Sequence, residues 1–87
     1  MKREEKFNEC VIGLGDVLVY ELKRYNTQSV MKSLRKLCSL TDREGIRESE
    51  IESIKCVLRR IKRTAYDFDD TTVEEFIENE LDKLEDM

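Results

Sequence analysis

The feature that most restricts the fold of this chain is its near lack of helix-breaking residues. Its 87 residues include no proline and only three glycines. Inside a helix, proline costs about 3 kcal/mol and glycine about 1 kcal/mol relative to alanine. A chain so poor in both is strongly biased toward helix, and we therefore expect an all-α fold.

Apolar residues recur at steps of three and four in four successive stretches, the spacing that places them on one face of a helix. In the first stretch, residues 11–20 include Gly13, Gly15 and the segment VLVY, which would also suit a strand. We favour helix because no partner strand is evident. The apolar positions of the four stretches are Phe7, Val11, Leu14, Leu18, Leu22 and Tyr25; Val30, Met31, Leu34, Leu37 and Cys38; Ile51, Ile54, Leu58, Ile61, Ala65 and Phe68; and Val73, Phe76, Ile77, Leu81 and Leu84.

The third stretch has the most regular pattern, since its apolar residues alternate steps of three and four as in a heptad seam. Ser49 is the predicted N-cap, and Glu52 three residues later completes a capping box. The seam is too short to indicate a coiled coil, so we expect it to face the core of a bundle. Self-association through the same seam is the alternative.

A chain of this length makes one domain at most, and we assign residues 1–87 to a single small bundle of three to four helices. Short polar connectors separate the four stretches, and no internal repeat or low-complexity linker divides them. The predicted core consists of Val11, Leu14, Leu18, Leu22, Leu34, Leu37, Ile54, Leu58, Ile61, Phe76, Ile77 and Leu81.

The segment DFDDTTVEEFIE, residues 67–78, has acids at the first, third and twelfth positions of a calcium-binding loop. However, Thr72 occupies the position that requires glycine, and Glu74 the position that requires an apolar residue. A helix start explains the same residues with less strain. Thr72 would be the N-cap and Glu75 its capping-box partner, with both glutamates near the positive end of the helix dipole.

Charge is divided very unequally along the chain. Residues 1–63 hold 15 Lys and Arg against 10 Asp and Glu, whereas residues 64–87 hold one Lys against 10 acids. A charge run is most often only a solvated helix face, but such a face can also attract a basic partner and speed association. Small acidic inhibitors and immunity proteins that block nucleic-acid-binding enzymes rely on this physics. The predicted partner-binding residues are Glu74, Glu75, Glu78, Asp82 and Glu85, with Asp86 beside them.

The third stretch carries a basic stripe away from its seam, formed by Lys55, Arg59, Lys62 and Arg63. Such a stripe could bind phosphates, which makes a dimeric nucleic-acid-associated regulator the alternative function. The acidic overall charge, the lack of an aromatic platform beside the stripe and the lack of a nucleic-acid-binding motif weigh against it. The stripe could also pair with the acidic fourth stretch, and such pairing would mask both surfaces.

The residue combinations typical of catalysis and of cofactor or metal binding are absent from the sequence. The chain has no histidine, and its cysteines, Cys10, Cys38 and Cys56, lack zinc-site spacing. We therefore expect no enzyme activity, cofactor or metal. The odd cysteine count, the absence of a signal peptide and the absence of a long apolar run favour reduced thiols in the cytoplasm and no membrane association.

Two segments, LGDVLVYEL (residues 14–22) and LRKLCSLTDRE (residues 34–44), resemble the helical core of small enterobacterial connector proteins tied to biofilm and acid-stress regulation. The matching positions are mainly leucines and valines, which recur in many helical bundles, and no function is carried over from the resemblance. The expected function is that of a small cytoplasmic protein-binding module, a regulator, inhibitor or immunity-type factor.

Overall fold

The computed structural model describes the backbone of residues 3–85 and the side chains of residues 6–85. Within that range the chain forms four α-helices and no strand, which confirms the predicted all-α bundle and the helical assignment of residues 11–20. The helices are α1 (Arg3–Lys23), α2 (Thr27–Ser39), α3 (Glu48–Asp67) and α4 (Thr71–Glu85), and a 3₁₀ turn, Leu40–Asp42, follows α2.

The apolar seam of α3 forms the centre of the bundle. Ile54, Leu58, Ile61 and Ala65 are each 0% exposed. The helices α1 and α4 each pack against α3 and also contact α2. The seam is therefore buried within a single copy of the chain, as expected of a core-facing helix, and it is not available for self-association.

The predicted core is largely confirmed, with two corrections. Leu14 and Phe76 are only half-buried, because they lie at the margins of the apolar faces of α1 and α4. Phe76 instead lines a surface cleft beside Cys38 and Leu84. The buried apolar residues that the predicted core omitted are Val30, Cys38, Val57, Ala65, Val73 and Leu84.

The start of α3 differs from the prediction by two residues. Arg47 is the N-cap, and the side chain of Glu50 accepts a hydrogen bond from its backbone N–H at 2.9 Å. The Glu50 carboxylate is 1% exposed and also accepts from the Arg43 guanidinium at 3.5 Å. The capping box predicted for Ser49 and Glu52 is wrong, because Ser49 already lies inside the helix and Glu52 faces solvent. Glu50 points inward, where its buried charge finds both donors.

The start of α4 confirms the predicted helix but not its cap. Asp70, rather than Thr72, accepts the backbone N–H of Val73, at 3.2 Å. The other carboxylate oxygen of Asp70 accepts the hydroxyl of Thr27, the first residue of α2, at 2.6 Å. A carboxylate can accept both bonds at once, whereas the Thr72 hydroxyl lies exposed on the first turn. Asp70 thus ties the beginnings of α2 and α4 together.

We expect Asp70→Ala to lower the free energy of unfolding by about 1–2 kcal/mol, since it removes the cap and the bond to Thr27. The matched control, Thr72→Ala, should change it by less than about 0.5 kcal/mol, as is usual for an exposed surface position. Urea unfolding followed by circular dichroism measures both. Equal losses in the two variants would contradict the assignment of the cap.

The two glycines of α1 have different surroundings. A Cβ added at Gly15 would lie 3.0 Å from a methyl carbon of Val57 on α3, so the glycine permits close packing of the two helices. A Cβ added at Gly13 would meet no heavy atom within 4 Å. Gly13 is exposed, and nothing within the described part of the chain requires a glycine there.

Alanine substitution should therefore change the free energy of unfolding differently at the two positions. Gly13→Ala is expected to raise the free energy of unfolding by about 0.5–1 kcal/mol, because alanine is the better helix former. Gly15→Ala should gain less or lose stability, since Val57 must move. Thermal and urea unfolding in dilute solution provide the measurement, and an equal gain at both positions would show that the approach of α3 imposes no constraint.

Candidate functional site

The acidic residues predicted to bind a partner all lie on one side of α4. At about 100° per residue, they occupy an arc of about 100° around the helix axis. The buried residues Val73, Ile77, Leu81 and Leu84 occupy a separate arc that faces the core, with Leu81 at its border with the acids. Four of the five acids in the arc are exposed and Glu74, at the α3 edge, is half-buried; the set is Glu74, Glu75, Glu78, Asp82 and Glu85. Asp86 lies outside the described residues.

The basic stripe of α3 lies next to this arc, and the two surfaces partly pair. Lys62 forms an ion pair with Glu78 at 3.2 Å, and Arg59 with Glu85 at 3.5 Å. These contacts answer the question that the sequence left open. Apart from Glu75 and Lys55, which lie outside it, the acidic and basic candidate residues form the two sides of one groove.

The groove between α3 and α4 has a volume of about 600 Å³ and opens to solvent. It is lined by Arg59, Lys62, Arg63, Tyr66, Glu74, Glu78, Leu81, Asp82 and Glu85. Both ion pairs across it are solvent-accessible, so each contributes only about 0–1 kcal/mol and can open at little cost. A charged group of another molecule can therefore compete for either member of a pair.

Pairing leaves an excess of negative charge on the α4 side. Glu74, Glu75 and Asp82 form no ion pair within residues 6–85, whereas Glu78 and Glu85 are each partly balanced. On the α3 side, by contrast, most of the charges are paired. Within the same range only Arg63, among the four residues of the basic stripe, lacks an acidic partner, because Lys55 is paired with Glu52 at 3.3 Å.

Tyr66 is a groove residue that the sequence reasoning missed. Its side chain is 68% exposed, and it lines the groove together with Lys62 and Arg63. The expectation that no aromatic residue accompanies the basic stripe is therefore wrong. The sequence spacing does indicate this position for Tyr66, since residues 59, 62, 63 and 66 fall on one face of a helix.

Residues 67–78 do not form a calcium-binding loop. Asp67 is the last residue of α3, and the segment from Thr71 onward belongs to α4, so only residues 68–70 connect the helices. Asp67, Asp69 and Glu78 are consequently not arranged around one point. Among the described residues, no group of three or more cysteine or acidic side chains is placed to hold a metal ion.

The three cysteines are unbridged, and their surroundings differ. Cys10 and Cys56 are exposed, whereas Cys38 is buried on α2. Burial raises the pKa of the Cys38 thiol from 9.0 to about 12, with Glu80 adding to the shift and Lys83 opposing it. At neutral pH the thiol is protonated and inert, which makes Cys38 a core residue rather than a nucleophile.

The raised pKa of Cys38 predicts a loss of stability at alkaline pH. Because the unfolded chain releases this proton near pH 9 and the folded chain only near pH 12, folding loses about 1.4 kcal/mol per pH unit between those values. The difference in unfolding free energy between the wild type and Cys38→Ala should therefore shrink above pH 9. The exposed Cys56→Ala serves as control. A difference for Cys38→Ala that stays constant from pH 8 to about pH 10.5 would contradict the prediction.

Comparison with protein-family models, with curated proteins and with solved structures gives no match for this chain. The resemblance of residues 14–22 and 34–44 to connector proteins gains no support from them. No helix in the described range is both long and apolar enough to cross a membrane.

Proposed function

We propose that this chain is a small cytoplasmic protein-binding module that acts as a regulator, inhibitor or immunity-type factor. It occupies a basic surface of its partner with the acidic side of α4 and carries out no catalysis of its own. The observation that carries this proposal is the excess of unpaired carboxylates on that side of α4: Glu74, Glu75 and Asp82 have no cationic partner within residues 6–85.

The arrangement of these carboxylates suits recognition of a basic protein. They lie on a regular helix whose opposite face is fixed in the core, so their relative positions are set before binding and little order has to be gained. Glu78 and Glu85 can join them by exchanging Lys62 and Arg59 for cations of the partner. Because exposed ion pairs are weak, this exchange costs little.

Tyr66 adds an apolar contact at the edge of the acidic side. Exposed tyrosines are enriched in protein interfaces, because the ring buries a large area at a small cost in side-chain entropy. The negative field of α4 would accelerate encounter with a basic partner, and association should slow as salt is added. The tyrosine would then contribute to the lifetime of the complex.

The alternative, nucleic-acid binding by Lys55, Arg59, Lys62 and Arg63, is weakened by the same contacts. Three of these four residues are paired with acids, and Tyr66 stands beside a groove rich in carboxylates. A phosphate backbone approaching the stripe would meet Glu74, Glu78 and Asp82. We therefore treat phosphate binding as an outcome to be tested and not as a second proposal.

The acidic side must be tested by substitution and not by deletion, because removing α4 would also remove four core residues. We expect Glu74→Gln/Glu78→Gln/Asp82→Asn to retain the fold and to lose at least about ten-fold in affinity for a basic partner. Affinity capture from nuclease-treated host lysate, followed by mass spectrometry, identifies candidates. Titration calorimetry with the purified candidate then measures the loss.

The matched control is Glu44→Gln/Glu48→Gln/Asp67→Asn, which changes the net charge equally at exposed positions outside α4. It should bind like the wild type. Equal loss of affinity in both triple variants would show that only net charge matters. Unchanged affinity in both would show that the acids of α4 do not bind the partner. Retention of the wild type on duplex or single-stranded nucleic acid at low salt would favour the alternative function.

A further inference from the structure

The outer face of α1 carries an exposed apolar strip that no part of the described chain covers. Ile12, Val17 and Tyr20 are 53%, 55% and 56% exposed, and they account for three of the five large apolar side chains exposed within residues 6–85. Gly13 lies on the same face, one turn from Val17 and two from Tyr20. Isolated exposed apolar residues are common, but three of them grouped on one helix face, around the exposed Asp16, form a candidate interaction surface.

Two details of the strip go beyond mere exposure. The Tyr20 ring is held on the surface by Arg24, which donates a hydrogen bond to the tyrosine hydroxyl at 2.7 Å and lies 5.4 Å from the ring centre. Gly13, unlike Gly15, has no internal neighbour that requires a glycine. The helix surface at Gly13 carries no side chain, so it can accept a protruding ring such as that of Tyr20 from a second copy.

The charges at the two ends of the strip determine which occupant fits. Glu9 lies at one end and Lys23 at the other, both exposed and on the α3-facing side of the strip. If a second copy of α1 packs antiparallel, with the two-fold axis near residues 16 and 17, Glu9 of each copy meets Lys23 of the other. The same register places Tyr20 over Gly13 of the second copy and Val17 against its counterpart. A parallel pair would instead place like charges together at both ends.

We propose that the outer face of α1 is a homodimer interface in which two copies pack antiparallel in this register. The two-fold axis brings Asp16 close to its counterpart, and each Asp16 is already paired with Arg60 of its own chain at 2.7 Å. This internal pairing offsets the charge of each Asp16 and so reduces the repulsion that would otherwise oppose the contact. The inference does not depend on the proposed function, because the α3–α4 groove lies on the other side of α3 and stays open in the dimer.

The expected dimer is weak. At about 1.5 Å per residue, the 21 residues of α1 are about 31 Å long, and one helix face buries less than the roughly 800 Å² per partner of a standard interface. Affinities in the micromolar range are typical of such contacts. The monomer and the dimer should therefore exchange reversibly with concentration.

Sedimentation equilibrium from about 5 µM to about 500 µM tests the interface, because this range brackets weak dimers. The wild type should show a reversible monomer–dimer equilibrium. Glu9→Lys and Lys23→Glu should each weaken dimerisation about ten-fold, since each variant creates two like-charge contacts. An equimolar mixture of the two variants should restore it, because both contacts in the mixed dimer are again opposite in charge.

Restoration by mixing separates an interface effect from a folding effect, and circular dichroism of each variant checks the fold directly. The control pair is Glu44→Lys and Lys32→Glu, exposed positions outside α1, which should leave the equilibrium unchanged. A wild type that stays monomeric throughout the range would overturn the proposal. So would self-association that neither α1 variant weakens, or weakening that mixing does not reverse.

Discussion

Burial of the α3 seam is the constraint on which the rest of this structure depends. Ile54, Leu58 and Ile61 are completely enclosed, and they lie along one line of a helix that contacts both α1 and α4. Once that line faces inward, the direction of every other residue of α3 is fixed. Val57 must meet α1, where Gly15 makes room for it, and Arg59 must meet α4. The charged groove is thus a consequence of apolar packing.

The groove explains where the unequal charge of the two parts of the chain lies in the structure. Through residue 85, the strongly acidic last quarter of the chain is not a separate tail, because α4 contributes four residues to the core and its acids border the cations of α3. Both sides are partly neutralised by Lys62 and Arg59, and the surplus remains on α4. Such a surface selects among partners, because the cations of a partner must bind the acids of α4 more strongly than Lys62 and Arg59 of the same chain do.

Periodicity in the sequence was sufficient to predict the helices and most of the core, because a helix face is a local property of residues three and four apart. The caps were harder. Asp70 and Thr72 satisfy the same local rule, and the choice between them depends on Thr27, which is 43 residues away in the chain. The ion pairs across the groove were likewise unpredictable in detail, since they depend on how α3 and α4 cross. Tyr66 was overlooked because its neighbours were judged by charge alone.

The mutual masking of Lys62 and Glu78, and of Arg59 and Glu85, also bears on how such a protein can evolve. All four side chains lie at the surface, so their replacement leaves the core intact. Loss of the two glutamates would release two cations beside Arg63 and Tyr66 and turn an acidic surface toward a basic one. Two substitutions at the surface would therefore change the charge of the groove while the fold of the bundle stays the same.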